Sequence, residues 1–174
     1  MKNNKKGVSG IVTTVLLILV AITAVALIAA FLVPFIKGTL GESKDCLSVL
    51  GKVEVVQGPY TCYDATGSAV GIRIGRSFGE NVGVSGFAVV LGSDSKSKRY
   101  DVISGGSNSQ ISEFGGSYGS ALNIPADGEQ TTYVFDVSSD FGTEAITNVE
   151  VSAILPNDKV CTGGAPTSIP VCSA

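Results

Sequence analysis

One stretch limits what this chain can become. From Val8 to Ile36 the sequence reads VSGIVTTVLLILVAITAVALIAAFLVPFI, without a charged residue. As a helix, about 29 residues span roughly 43 Å, whereas a bilayer core needs only about 20. The run is apolar all round, so every face expects lipid or other helices. It is too long for the core helix of a soluble domain. Three lysines, Lys2, Lys5 and Lys6, precede it. Positive charge before an apolar run marks an export n-region and stays on the cytoplasmic side, so the C-terminal bulk goes outside. The run also exceeds an ordinary signal h-region. It ends in Pro34-Phe35-Ile36-Lys37-Gly38 rather than in a small-residue cleavage site, and the A-x-A form Ala24-Val25-Ala26 sits in mid-helix. The helix is therefore expected to be retained.

The spacing predicts one helix over residues 8–40, bent at Pro34, where a backbone hydrogen bond is lost. Gly38 and Gly41 are expected to loosen its end, with 41–45 as a hinge. Beyond it, 46–174 is close to the modal domain size, so one packed ectodomain is expected. There the apolar period changes to two. Leu47, Val49, Val53 and Val55 alternate with polar residues as a first strand. Val70, Ile72 and Ile74 form one face of a second, with Arg73 opposite. Phe87, Val89 and Leu91 mark a third, and 99–103 a fourth. Residues 104–121 are rich in Gly and Ser and read as a surface loop, with one short strand near Ile111. Tyr133, Phe135 and Val137, then Val149, Val151, Ala153 and Leu155, mark two further strands. A turn at Pro156-Asn157-Asp158 leads to a last short strand at Val160-Cys161. Short strands between turn signals, without strand–helix alternation, predict an α+β, mainly β chain: a long apolar helix, then an Ig-like antiparallel β-sandwich.

The four cysteines, Cys46, Cys62, Cys161 and Cys172, all follow the helix. An even count in an exported domain predicts two disulfides, and four cysteines allow three pairings. The local pairs Cys46–Cys62 and Cys161–Cys172, each closing a hairpin-sized loop, are the expected ones. The absence of histidine and of C-x-x-C spacing argues against zinc. It also removes any Ser-His or Cys-His nucleophile pair. No phosphate loop and no N-x-S/T sequon occur. The formal charge is −3, and residues 1–7 hold three of the basic side chains, so the rest is more acidic still. That balance argues against a nucleic-acid partner. Asp136, Asp140 and Glu144 are close in sequence but match no calcium loop, and read as turn formers. Arg73 and Arg76 read as solvated strand-end residues. Tyr60, Tyr63, Tyr100 and Tyr118 are read as packing over sheet edges, with a sticky outer surface as the other possibility. No catalytic site, cofactor or metal is expected, and the chain is not read as an enzyme.

The order Lys5-Lys6-Gly7, then Val8-Ser9-Gly10-Ile11, then an apolar helix, then a β-rich domain, resembles that of the archaeal type IV pilins and archaellins. The likeness covers about the first 40 residues well and the remainder only in architecture. It implies processing by a prepilin peptidase between Gly7 and Val8. It further implies assembly into a filament by an ATPase and a membrane platform protein. The precursor would sit in the cytoplasmic membrane and the polymer outside the cell. Gly10 stands where the family often has proline. Val12 stands where bacterial pilins carry glutamate, which agrees better with the archaeal branch. In such a polymer the helix passes from lipid to a bundle of like helices. Both surroundings are apolar, so packing decides, and packing needs small residues. Gly10 and Thr14, and Ala26 and Ala30, lie four apart on common faces, supplemented by Ala21, Ala24 and Ala29. The expected function is thus an adhesive filament subunit whose main partner is itself. An archaellin, or a monomeric surface binding protein on an uncleaved helix, are the alternatives.

Overall fold

The structure, a computed structural model, describes residues 6–66, 68–77, 83–161 and 164–173, without the side chains of 6–11, 35 and 37–44. The chain divides into two compact units, Met1–Lys44 and Asp45–Ala174.

Helix α1 runs unbroken over Lys6–Val49 with Pro34 inside it. It does not end near residue 40 as expected. Gly38, Gly41 and the whole stretch read as a hinge are helical. Isolated glycines weaken a helix by only about 1 kcal/mol each, which neighbouring turns absorb. The stop comes at Gly51, whose φ of +70° is the left-handed conformation that closes helices. Residues 45–49 are thus a helical turn, not the start of the first strand. That turn belongs to the second unit, where Val49 is buried and Cys46 packs against the core.

The second unit is a sandwich of two antiparallel sheets. One contains β1 (Val53–Val55), β2 (Cys62–Asp64), β3 (Ala69–Arg76), β6 (Ile111–Glu113) and β7 (Gln130–Asp136), in the order β1-β3-β7-β6 with β2 also on β3. The other contains β4 (Gly86–Gly92), β5 (Ser97–Ile103), β8 (Asn148–Ile154), β9 (Val160–Cys161) and β10 (Thr167–Ser168), in the order β10-β8-β4-β5 with β9 also on β8. The alternation read from sequence is the core. Val70, Ile72 and Ile74 face inward with Tyr133, Phe135 and Val137, against Phe87, Val89, Leu91, Val149 and Val151. The Tyr100 and Phe135 rings meet across the interface, 5.5 Å apart. A short helix, α2 (Ser138–Phe141), follows β7 and buries Phe141.

Both disulfides form, but between different partners from those expected. Cys46 bonds Cys161 and Cys62 bonds Cys172, at sequence separations of 115 and 110. Loop-closure entropy favours local pairs, yet it grows only slowly with length, and the fold decides. The C-terminal segment returns beside β2: Tyr63 N donates to Pro170 O, and Cys172 N donates to Tyr63 O, each at 2.9 Å. That places Cys172 against Cys62, while β9 lies beside β8 and brings Cys161 to the helical turn.

Crosslinks closing loops this long are each expected to stabilise the unit by about 2–5 kcal/mol. They also limit its extension. Pulled between the helix and the C-terminus, the oxidised chain should lengthen by no more than about 40 Å, through the segment after Cys161. Reduction should free several hundred ångströms. Force spectroscopy with and without reductant checks this, and equal extensions would refute the pairing.

Candidate functional site

The feature that most departs from an ordinary globular surface is the helix. Over Val12–Pro34 its mean hydropathy is 3.1 and none of it is buried. Every large apolar side chain from Val12 to Val33 is exposed, between 47% at Leu32 and 77% at Phe31. At roughly 1.5–3 kcal/mol per side chain covered, leaving such a rod in water costs on the order of tens of kcal/mol. A whole domain's stability is about 5–15 kcal/mol. One polar side chain in the rod is turned back on its own helix. The Thr23 hydroxyl bonds to its own helix, at 3.0 Å from Leu19 O and 2.9 Å from Val20 O. A hydroxyl satisfied within its own helix is what an apolar environment demands. Ala21, Ile22, Val25, Ala26 and Ala29 line a shallow, wholly apolar depression on one side. Thr14, Ala26 and Ala30, read as packing positions, are exposed. Gly10, Gly7 and Val8 lie in the helix backbone, as does Lys6, while Lys5 lies outside the described residues.

In the second unit the acidic residues are occupied by their own neighbours. Asp136 caps the turn into α2, accepting from Ser138 N at 3.0 Å and Ser138 Oγ at 2.6 Å. Asp140 accepts from Gln110 Nε2 and Tyr100 Oη, each at 2.9 Å, and from Lys98 Nζ at 3.0 Å. Those donors, Gln110 foremost, hold its carboxyl below the usual range. Burial, and then Asp140 itself, push the Tyr100 hydroxyl up. Glu144 accepts from Ser93 Oγ at 2.7 Å, Ser95 Oγ at 2.9 Å and Lys96 Nζ at 3.1 Å, which also lowers its pKa. These bonds join α2 and the chain after it to the β4–β5 hairpin. The three carboxylates do not converge: among the described residues no metal-ligating cluster of three or more His, Cys, Asp or Glu occurs. All four cysteines are consumed by the disulfides.

The tyrosines divide. Tyr63 and Tyr100 are core residues at 3% and 2% exposure, whereas Tyr60 and Tyr118 are surface residues at 42% and 45%. Arg76 is ion-paired to Asp127 at 2.7 Å. Arg73 instead lies over the Tyr60 ring, 4.6 Å from its centroid. Phe114 completes the group, its ring 5.3 Å from that of Tyr60 and edge-on to it. Phe114 is not marked by the sequence pattern, because no apolar alternation surrounds it. An isolated phenylalanine before Gly115-Gly116 in a polar loop was the available signal.

No protein-family model matches the chain, and no curated protein matches it.

Asp140 supplies a pH test. Its pKa is depressed on folding, so its contribution is complete above the unfolded value, about 4, and is lost as pH falls through the folded one. Asp140→Asn should cost about 1–2 kcal/mol at pH 7 and lose less further stability than the natural chain below pH 4. Thermal midpoints of the full chain in detergent, measured from pH 7 to 2, check it. Parallel curves would show that Asp140 contributes nothing.

Proposed function

We propose that the chain is the structural subunit of an extracellular filament of the type IV pilus kind, with adhesion as its task. The observation that carries this reading is the exposed apolar rod, Val12–Pro34, continued without a break into a disulfide-crosslinked sandwich. The rod needs an apolar environment on every face. Lipid supplies it before assembly, and the rods of neighbouring copies supply it afterwards. Because the two environments are equally apolar, hydrophobic burial does not drive the exchange, and packing at small residues such as Ala26 and Ala30 does. Once outside, the same burial holds the polymer against water. Withdrawing the rod from the bilayer is costly, so an external motor is required. An assembly ATPase with a membrane platform protein meets that need in the family the N-terminus resembles.

The crosslinks support an oxidising, extracellular site for the sandwich, and Lys2, Lys5 and Lys6 support a cytoplasmic N-terminus. A prepilin peptidase would cut between Gly7 and Val8. In this reading the protein is not an enzyme and has no nucleic-acid partner.

Surface fibres sheared from cells should consist of a chain beginning at Val8. Gly7→Phe should block processing and leave cells without fibres. Fibres whose N-terminal residue is Met1, or normal fibres from Gly7→Phe, would reject the reading in favour of a monomer held by an uncleaved helix.

A further inference from the structure

The outer face of the β1-β3-β7-β6 sheet carries a group of side chains that packing does not use. Tyr60 is 42% exposed and Phe114 63% exposed, although burying such rings is ordinarily favourable. Arg73 is the third member. Arg76, Lys96, Lys98 and Arg99 each meet a carboxylate. Arg73 forms no ion pair among the described residues, and its bonded neighbour is the Thr132 hydroxyl, 3.4 Å from Nε. Stacked on Tyr60, its guanidinium keeps its in-plane N–H groups available.

The three are held in place. Thr61 is fully buried; its hydroxyl donates to Val56 O at 2.6 Å and accepts from Arg73 N at 3.1 Å, which fixes the Tyr60 segment on β3. The close approach depends on Gly71, where a Cβ would stand 2.7 Å from Tyr60 O. Phe114 N donates to Thr132 O at 2.9 Å, and Thr132 is the register partner of Arg73. Little backbone entropy remains to be lost on binding.

We propose that Arg73, Tyr60 and Phe114 form a binding site for a carboxylate-bearing sugar. The guanidinium offers two parallel N–H donors to the carboxylate. The rings offer electron-rich faces to the slightly positive C–H groups of a pyranose. Thr132 adds a hydroxyl. An acidic peptide fits less well. β3 and β7, which carry Arg73 and Thr132, are interior strands, so their backbone groups are already paired and offer a peptide main chain no ladder to join; the edge strand of this sheet beside Phe114, β6, is only three residues long. With the Arg73 guanidinium carbon 4.6 Å and the Phe114 ring centroid 5.3 Å from the centre of the Tyr60 ring, the group matches one or two sugar rings. The domain is otherwise acidic, so an uncompensated guanidinium on it is a local point of attraction for an anion.

The test uses the full chain in detergent and trigalacturonate as probe, with binding followed by NMR titration. Binding should be detectable, should weaken about tenfold or more in Arg73→Gln, and should weaken as much when the probe is fully methyl-esterified. Phe114→Ser, altered at an exposed position and expected to fold normally, should show a similar loss and carries the test should Arg73→Gln not fold. Absence of binding, equal binding by the ester, or unchanged binding in Phe114→Ser would overturn the proposal. Tighter binding of an acidic hexapeptide than of the sugar would also overturn it, in favour of a protein partner. The site does not depend on polymerisation, so Gly7→Phe chain should bind as the natural chain does whether or not fibres form.

Discussion

The constraint on which the rest depends is the cost of wetting residues 12–34. Each exposed leucine, isoleucine or phenylalanine in that rod forfeits roughly 1.5–3 kcal/mol, and the rod's total exceeds what a folded domain of this size can supply. No substitution in the sandwich can offset it. Left in water the rod is strongly unfavourable, and lipid or other apolar surfaces are the surroundings that suit it. The self-satisfied hydroxyl of Thr23 belongs to the same logic, since an unpaired donor there costs as much as a lost hydrogen bond.

A rod of that kind makes a demanding neighbour for a small β domain. The sandwich buries a core of ordinary aliphatic and aromatic residues, and its strands are short, several of them two or three residues long. The two disulfides join sequence-distant ends: the last helical turn to β9, and β2 to the C-terminal segment. A load entering through α1 at Cys46 passes by a covalent bond to β9, which is laddered to β8 in the interior of its sheet. The hydrogen bonds of β1, the first strand in the chain, are thereby spared that load. Local pairing of the same cysteines would have left most of the domain free to unravel from either end.

Much of the fold was legible because the apolar period is direct evidence of which face is buried. In β3, β4, β7 and β8 the pattern marks the inward residues, since Val70, Ile72 and Ile74, or Phe87, Val89 and Leu91, alternate without interruption. The end of the helix was not legible. Glycine at 38 and 41 carries a real but small propensity cost, and the residues that decide the boundary, Val49 and Cys46, do so by tertiary packing and a crosslink. The same holds for the disulfides: the return of the C-terminus to β2 is a three-residue contact that no local pattern announces. α2 has no sequence signature, because four residues are too few for periodicity. The aromatic group was half legible. Tyr60 stands out as a tyrosine, but Arg73 reads only as a solvated strand-end residue although it lies within β3, and Phe114 sits in a polar, glycine-rich stretch.

Two kinds of exposed apolar surface thus occur in one chain, and their scales separate what each can decide. The rod, worth tens of kcal/mol, governs which surroundings suit the chain. The Tyr60–Arg73–Phe114 group is far smaller, near what three side chains supply, and its exposure is tolerated by a crosslinked sandwich at no risk to the fold. A surface of that size is suited to weak, reversible contact. Weak contacts become strong attachment when many copies present them together, because each further engagement is effectively intramolecular. In the proposed filament the rod would set the number and spacing of copies, and the outer sheet face would supply the individual contact. The strong apolar interaction would then govern how many weak ones act at once, without having to specify what they bind.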